Sequence, residues 1–262
     1  KDPEGRLVHL VLGPWNHGQG RGEGRGIGVI AFEGDTAGWF RHEVMQPFLD
    51  HHLKGTPLPR TPRVLAYETG ANVWREYADW PRSCEAGCAE KARLLYLLPQ
   101  GRLGFEAPTA GGEPFDEYVS DPAKPVPFRP RPNRTPYAPG SGWSDWLVDD
   151  QRSVATRTDV LVYETEPLRE PLRIAGQPIA RLVASTSGTD SDWVVKLIDV
   201  WPDEVPAHPS LGGYQQMLSA DVFRGRYRVD PARPQPLWKA GSSRTSWAIS
   251  LWPETSTRWF RL

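Results

Sequence analysis

"RLVHLVLGPWNHG", residues 6–18, is an apolar run that stops at a glycine and then presents a histidine. Leu7, Val8, Leu10, Val11 and Leu12 leave no polar face, the pattern of a parallel strand covered on both sides. A strand is therefore predicted over residues 6–12. Functional groups of open α/β folds collect at the carboxyl ends of strands. His17 lies five residues beyond Leu12, on a loop at such an end.

Working outward, "GQGRGEGRGIG" (18–28) carries six glycines. It predicts an irregular, flexible arm beside an active site. The spacing is not the G-x-G-x-x-G that leads directly into a helix, so a nucleotide loop is set aside. Asp35 reads as a helix N-cap, and Ala37, Phe40, Val44, Phe48 and His51 follow one helical face. Met45, Leu49 and His52 lie beside that face, and Gly55 ends the helix. Pro47 inside it predicts a kink, because its ring meets the carbonyl one turn back. "RVLAYE" (63–68) is a second strand, which completes a βαβ unit. "TGANVWREYADWP" closes it as a Trp-bearing loop.

The whole chain narrows the function classes. Its 262 residues carry 31 Lys and Arg against 32 Asp and Glu, a formal charge of −1. A nucleic-acid or anionic-membrane surface needs a basic excess, so neither is expected as a partner. No apolar run approaches membrane-spanning length, and a soluble protein is expected. Cys84 and Cys88 stand alone as one CxxxC, too little for zinc; a local disulfide and two free thiols both stay open. The first residue is Lys rather than Met and no signal peptide is visible, which predicts a piece of something longer and leaves the compartment open.

From about residue 92 the pattern changes. "ARLLYLL", "TDVLVYE", "ARLVAST", "DWVVKLIDVW", "QMLSADVF" and "SWAISLW" are short strand-like runs with no convincing helix between them. Val195, Leu197, Asp199 and Trp201 alternate with Val194, Lys196, Ile198 and Val200. With 27 prolines and 25 glycines in the chain, long connections separate the runs. An antiparallel sandwich of jelly-roll type is expected. The fold class is thus α/β plus all-β: an α/β part over residues 1–82 and a β-sandwich over 83–262, with the boundary in 81–91.

His17 invites one chemistry. A histidine on a loop after a late strand is the third member of a Ser…Asp/Glu…His order, a base that takes a proton from a serine and returns it to the leaving group. A loop histidine satisfied by backbone carbonyls is the plainer alternative. Only sixteen residues precede His17; none is Ser, and Asp2 is the sole Asp. No G-x-S-x-G occurs, and "GSGWSD" (140–145) has the wrong spacing. Either the base reading fails or the nucleophile lies on residues outside this chain.

Other clusters are weaker. His42, Glu43, His51 and His52 share a helix but lack the i, i+4 spacing of a helical zinc site, so no metal is expected. Arg21 and Arg25 are candidate contacts for an anionic substrate; a solvated surface explains them equally. Asp190 and Asp192 are two carboxylates where calcium needs six to eight oxygens. Trp143, Trp146, Trp193, Trp201, Trp238 and Trp252 would serve either as a sugar-stacking platform or as packing. A platform would make the chain a non-catalytic binding module for a carbohydrate-like ligand, with the tryptophans exposed in a row.

Long segments resemble one family. "GPWNHG", "FEGDTAGWFRHEVMQPFLDHHLKG" and "YETGANVWREYADWP" are similar to segments of the bacterial cocaine-esterase and α-amino-acid ester hydrolase group. That group includes glutaryl-cephalosporin acylases and is related to X-prolyl dipeptidyl peptidases. "DEYVSDPAKPVP", "DDQRSVATRTDVLVYETEPL", "STSGTDSDWVVKLIDVWPD" and "ISLWPETS" resemble successive pieces of its C-terminal jelly roll. The resemblance implies a C-terminal part of a serine hydrolase that cleaves small esters or amides through an acyl-enzyme, without a cofactor. It implies that His17 is the triad histidine, that Trp15 and Asn16 shape its loop, and that the serine, aspartate, oxyanion tyrosine and a carboxylate cluster belong to absent segments. The family continues past the point where this chain stops. The expected partners are a small ester or amide substrate and the N-terminal hydrolase half; the sequence leaves a homo-oligomer open, and a periplasmic or secreted location is consistent with the family. An apolar patch on residues 6–12 and 40–53 should then be exposed, and His17 should sit at an exposed rim.

Overall fold

A computed structural model describes residues 2, 5, 7–80, 93–108, 115–138, 140–176 and 178–237, plus the backbone of 245–250 and 258–260. Trp143 is described by its backbone alone, and Cys84, Cys88, Trp238, Trp252 and the whole 81–91 boundary lie outside these residues.

Strand β1 (Leu10–Leu12) pairs in parallel with β4 (Val64–Glu68), and β4 pairs antiparallel with β5 (Val73–Tyr77). The expected βαβ unit is present. Every residue of β4 is buried, as a central strand with two covered faces requires. Two expectations change. The first strand is short, because Leu7 and Val8 lie exposed before it and their amides donate to the Asp2 carboxylate instead of a neighbouring strand. The expected Trp-bearing loop is strand β5, whose Trp74 and Glu76 lie opposite Tyr67 and Leu65 of β4.

Between β1 and β4 the chain builds the arm and the helix. β2 (Gly26–Ile27) and β3 (Ile30–Ala31) form a tight hairpin, so the arm is not irregular. The glycines serve close approach. A Cβ on Gly24 would lie 2.4 Å from Thr36 Oγ1, and one on Gly28 would lie 3.3 Å from Val148. Helix α1 (Thr36–Trp39) starts at Asp35, whose carboxylate accepts from the Gly38 amide at 2.9 Å. Helix α2 (Gln46–Lys54) ends at Gly55 with φ +71°. The kink expected at Pro47 is instead a π-helical turn over Phe40–Met45, with the Gln46 amide bonded to the Arg41 carbonyl. The wide turn removes the ring–carbonyl clash without breaking the helix.

The remainder is β-rich. β6 (Tyr96–Leu98) and β7 (Arg102–Gly104) form a hairpin. A 3-10 turn (Trp143–Val148) and a short helix α3 (Arg152–Ala155) lie where no helix is expected. β8 (Leu172–Ile174) pairs with β13 (Arg258–Phe260), β9 (Ile179–Ala184) with β12 (Thr245–Ser250), and β10 (Asp192–Val200) with β11 (Gln215–Arg224), all antiparallel. Residues 158–164 form no strand; only Glu164 bridges to Arg102.

The main core joins the two parts. Ile27, Ile30, Phe32 and Tyr67 pack with Val148, Leu211 and Tyr214. The Tyr214 hydroxyl donates to the Val148 carbonyl at 2.8 Å, and burial, followed by the carboxylates of Asp150, Asp149 and Asp145, pushes its phenol up to about 12. A second joint is ionic. The Glu68 side chain is wholly buried between Arg75 and Arg173, and Arg173 also donates to the Tyr77 hydroxyl at 2.6 Å.

Candidate active site

β1 ends at Leu12, and the chain turns so tightly that a Cβ on Gly13 would lie 2.4 Å from the Trp15 ring. Trp15 is therefore folded back beneath its own loop. Its indole N–H donates to Thr36 Oγ1 at 2.9 Å, and its ring packs on Phe40 and Trp74 at 5.1 and 6.0 Å. The Asn16 amide donates to Gln19 Oε1 at 3.0 Å, and the Asn16 carbonyl accepts from the Gln19 amide at 3.1 Å. His17 stands at the crest of this clamped turn and is exposed. Gly18 follows with φ +84°, a conformation that glycine adopts without strain.

The arm is fastened on three sides. Gln19 donates its side-chain amide to the carbonyls of Glu23 and Gly26, Thr36 donates its hydroxyl to the Gly24 carbonyl, and Arg41 donates to Gly20 and Gly22. Asp35 accepts the Gly24 amide at 2.7 Å. That bond first, then the one from Gly38, holds the Asp35 carboxyl below its ordinary value. The flexible arm read from the glycines is a braced one.

A residue without a sequence signal also reaches the site. The Tyr137 ring lies 6.5 Å from the His17 ring, edge to face. Its loop comes from the β-rich part and turns back at Tyr137, which has φ +65°. The loop is moored by the Arg129–Asp149 ion pair and by Phe128, which packs on Trp146 at 5.9 Å beneath Lys196 Nζ at 5.1 Å. "TPYAPG" reads only as a turn, so nothing local marks this tyrosine.

Several of the other sequence candidates are paired. Arg25 is ion-paired with Glu23 at 3.5 Å, while Arg21 opens onto a depression of about 410 Å³ beside Leu12, Trp15, Asn16 and Gly18. His51 Nδ1 bonds the Thr56 carbonyl, its ring lies 4.8 Å from that of His52, and His42 and Glu43 are exposed. Among the described residues no group of three or more His, Cys, Asp or Glu is placed to hold a metal ion. Asp190 and Asp192 pair with Arg226 and Arg224 across a strand end. Trp146, Trp193 and Trp201 are half-buried against Phe128, Phe223 and Gln216 and form no exposed row. Leu7, Val8, Leu10, Met45, Leu49 and Leu53, within or beside the two stretches where exposed apolar residues were expected, are exposed.

Comparison with known proteins agrees with this layout. Residues 58–248 match the X-Pro dipeptidyl-peptidase C-terminal non-catalytic domain, and His17 lies before that stretch. The cocaine esterase of Rhodococcus sp. is 32% identical over 238 residues, which cover 87% of this chain and 38% of that protein. An aminopeptidase from a marine sediment archaeon, Thaumarchaeota archaeon, has a solved structure with a TM-score of 0.90 at 61% identity, covering 99% of this chain and 40% of its own. A solved α-amino acid ester hydrolase gives 0.91 at 49% identity, covering 99% of this chain and 42% of its own. The chain thus spans about two fifths of these relatives' length. It belongs to the X-Pro dipeptidyl-peptidase-like family and carries that family's C-terminal non-catalytic domain over residues 58–248.

Proposed function

We propose that this chain supplies the general base of a serine hydrolase that cleaves small esters or amides. The observation that carries the reading is an exposed histidine at the crest of a braced loop, directly after the carboxyl end of a parallel strand. In this reading residues 1–82 complete an α/β-hydrolase sheet and residues 83–262 form a jelly roll, of which Tyr137 walls the site. The relatives are named as an esterase, an ester hydrolase and an aminopeptidase, which supports acyl transfer to water. The serine and triad acid would come from the length of those relatives that this chain does not span. His17 takes the serine proton as the hydroxyl attacks the carbonyl, then gives it to the departing alcohol or amine. In the second half it takes a proton from water and returns it to the serine.

The test uses the complete polypeptide that carries this chain. His17→Ala should lower kcat for 4-nitrophenyl acetate about 10⁴-fold or more, with the unfolding midpoint unchanged. Near-normal turnover by that variant removes His17 from the mechanism. This chain alone should not react with a fluorophosphonate; stoichiometric labelling of one of its serines would place the nucleophile here and overturn the reading.

A further inference from the structure

We propose that Gln19 is a positioning residue for His17: its carboxamide locks the turn that carries the histidine and ties that turn to the arm. The proposal rests on His17 being the base. His17 lies in neither helix nor strand. The Gln19 amide bonds the Asn16 carbonyl at 3.1 Å, and Gly18 has φ +84° and ψ −13°. These are the marks of a type II turn, with His17 at its second place and Gly18 at its third. One backbone bond is a weak hold on four residues in water, because water competes for both of its groups.

Gln19 adds three bonds through one side chain. Its Oε1 accepts from the Asn16 amide at 3.0 Å, so both backbone groups of Asn16 end on Gln19. Its Nε2 donates to the Glu23 carbonyl at 3.1 Å and to the Gly26 carbonyl at 2.8 Å. Gly26 opens β2, and the next residue, Ile27, belongs to the buried cluster with Val148 and Tyr214. The carboxamide therefore links an exposed turn to the core. A carboxylate of the same shape lacks the two donors, and a leucine lacks every polar atom. Gln19 spends its amide on the chain itself, so its effect on the reaction passes through the histidine. A base must meet the serine hydroxyl within hydrogen-bond reach, and a misplacement of about 1 Å costs on the order of 10²-fold in rate.

The test uses the complete protein and 4-nitrophenyl acetate. Gln19→Leu should lower kcat about tenfold or more and leave KM within about threefold, because the loss falls on proton transfer and not on binding. Gln19→Glu keeps the acceptor for the Asn16 amide and gives up the two donors, so its kcat should fall between those of Gln19→Leu and the parent. The double variant carries the most weight. Added to His17→Ala, Gln19→Leu should slow the residual hydrolysis by less than about twofold, since a residue that acts through the histidine has nothing left to act on. Should Gln19→Leu fail to fold, Gln19→Glu takes its place in the pair. A smaller loss of kcat, a change confined to KM, or a larger further loss in the double variant each overturns the proposal. Near-normal turnover by His17→Ala sinks the base itself, whereas an inactive His17→Ala beside a normal Gln19→Leu sinks only the positioning role.

Discussion

Residues 7–80 and residues 93–237 cover their sheets in opposite ways. In the first part, β4 is buried along its whole length, yet the edge strand and helix beside it leave Leu7, Val8 and Leu53 in solvent. In the second, β10 and β11 are longer, and each leaves apolar residues such as Val194 and Val222 outward. One cluster of buried apolar side chains belongs to neither alone. It sits where the glycine-rich arm of the first part enters the second. The stretch that follows the His17 loop is thus packed against the domain whose family is called non-catalytic.

Removing the arm's largest anchor tests this most severely. Phe32 is buried in the joint, with its ring 6.0 Å from that of Tyr67. Phe32→Ala should cost about 4 kcal/mol, the transfer of the ring plus the cavity left behind. The urea midpoint measures it, and a loss under about 1 kcal/mol would mean that the arm joins nothing.

The ionic joint comes next. Glu68 is 0% exposed, while the side chains of Arg75 and Arg173 are 45% and 30% exposed. Glu68→Ala should cost about 3 kcal/mol, the low end for a broken buried pair, because both arginines can turn to water. The same urea titration reads it. A variant as stable as the parent would show that the arginines never depended on the carboxylate.

These two joints also mark what the sequence made legible. Asp35 and Gly55 were readable because capping is local chemistry, and β4 because an unbroken apolar run needs two covers. The arm was misread for a physical reason. Its glycines admit neighbours that are distant in sequence, Val148 at Gly28 for one, and such contact leaves no local pattern. β5 was missed because Gly70 and Asn72 signal a turn and the run behind them carries the charged Arg75 and Glu76, whereas the strand forms by pairing with β4. Residues 158–164 alternate like a strand, but their neighbour β7 takes only Glu164, through the Leu103 amide and the Gly101 carbonyl. At the site, His17 was visible from its place after a strand; Tyr137 reaches it only through the fold.

Asp35 sharpens the comparison at the arm's root, because one carboxylate both caps the helix and holds Gly24. Asp35→Ala should cost about 1 kcal/mol at neutral pH. The pH dependence has a fixed sign. A carboxyl whose native value is depressed contributes stability above its unfolded value and loses it as pH falls through the native one. The gap between parent and variant should therefore stay level from pH 7 to about 5 and close below about 4. Thermal unfolding across that range checks it, and a gap that widens in acid would contradict the assigned bonds.

The smallest effect is expected one residue from the ionic joint. Successive residues of a strand point to opposite faces, so β5 turns Arg75 toward Glu68 and Glu76 outward to Arg60. The outer pair has better geometry, two nearly parallel bonds of 2.9 and 2.7 Å, but the Arg60 and Glu76 side chains are 84% and 46% exposed. Water already solvates both charges, so Arg60→Ala should cost under about 0.5 kcal/mol and nothing measurable in high salt. A loss above about 1 kcal/mol that persists in salt would mean that burial is not what separates the two faces of β5. The energetic contrast between its neighbouring ion pairs would then need another cause.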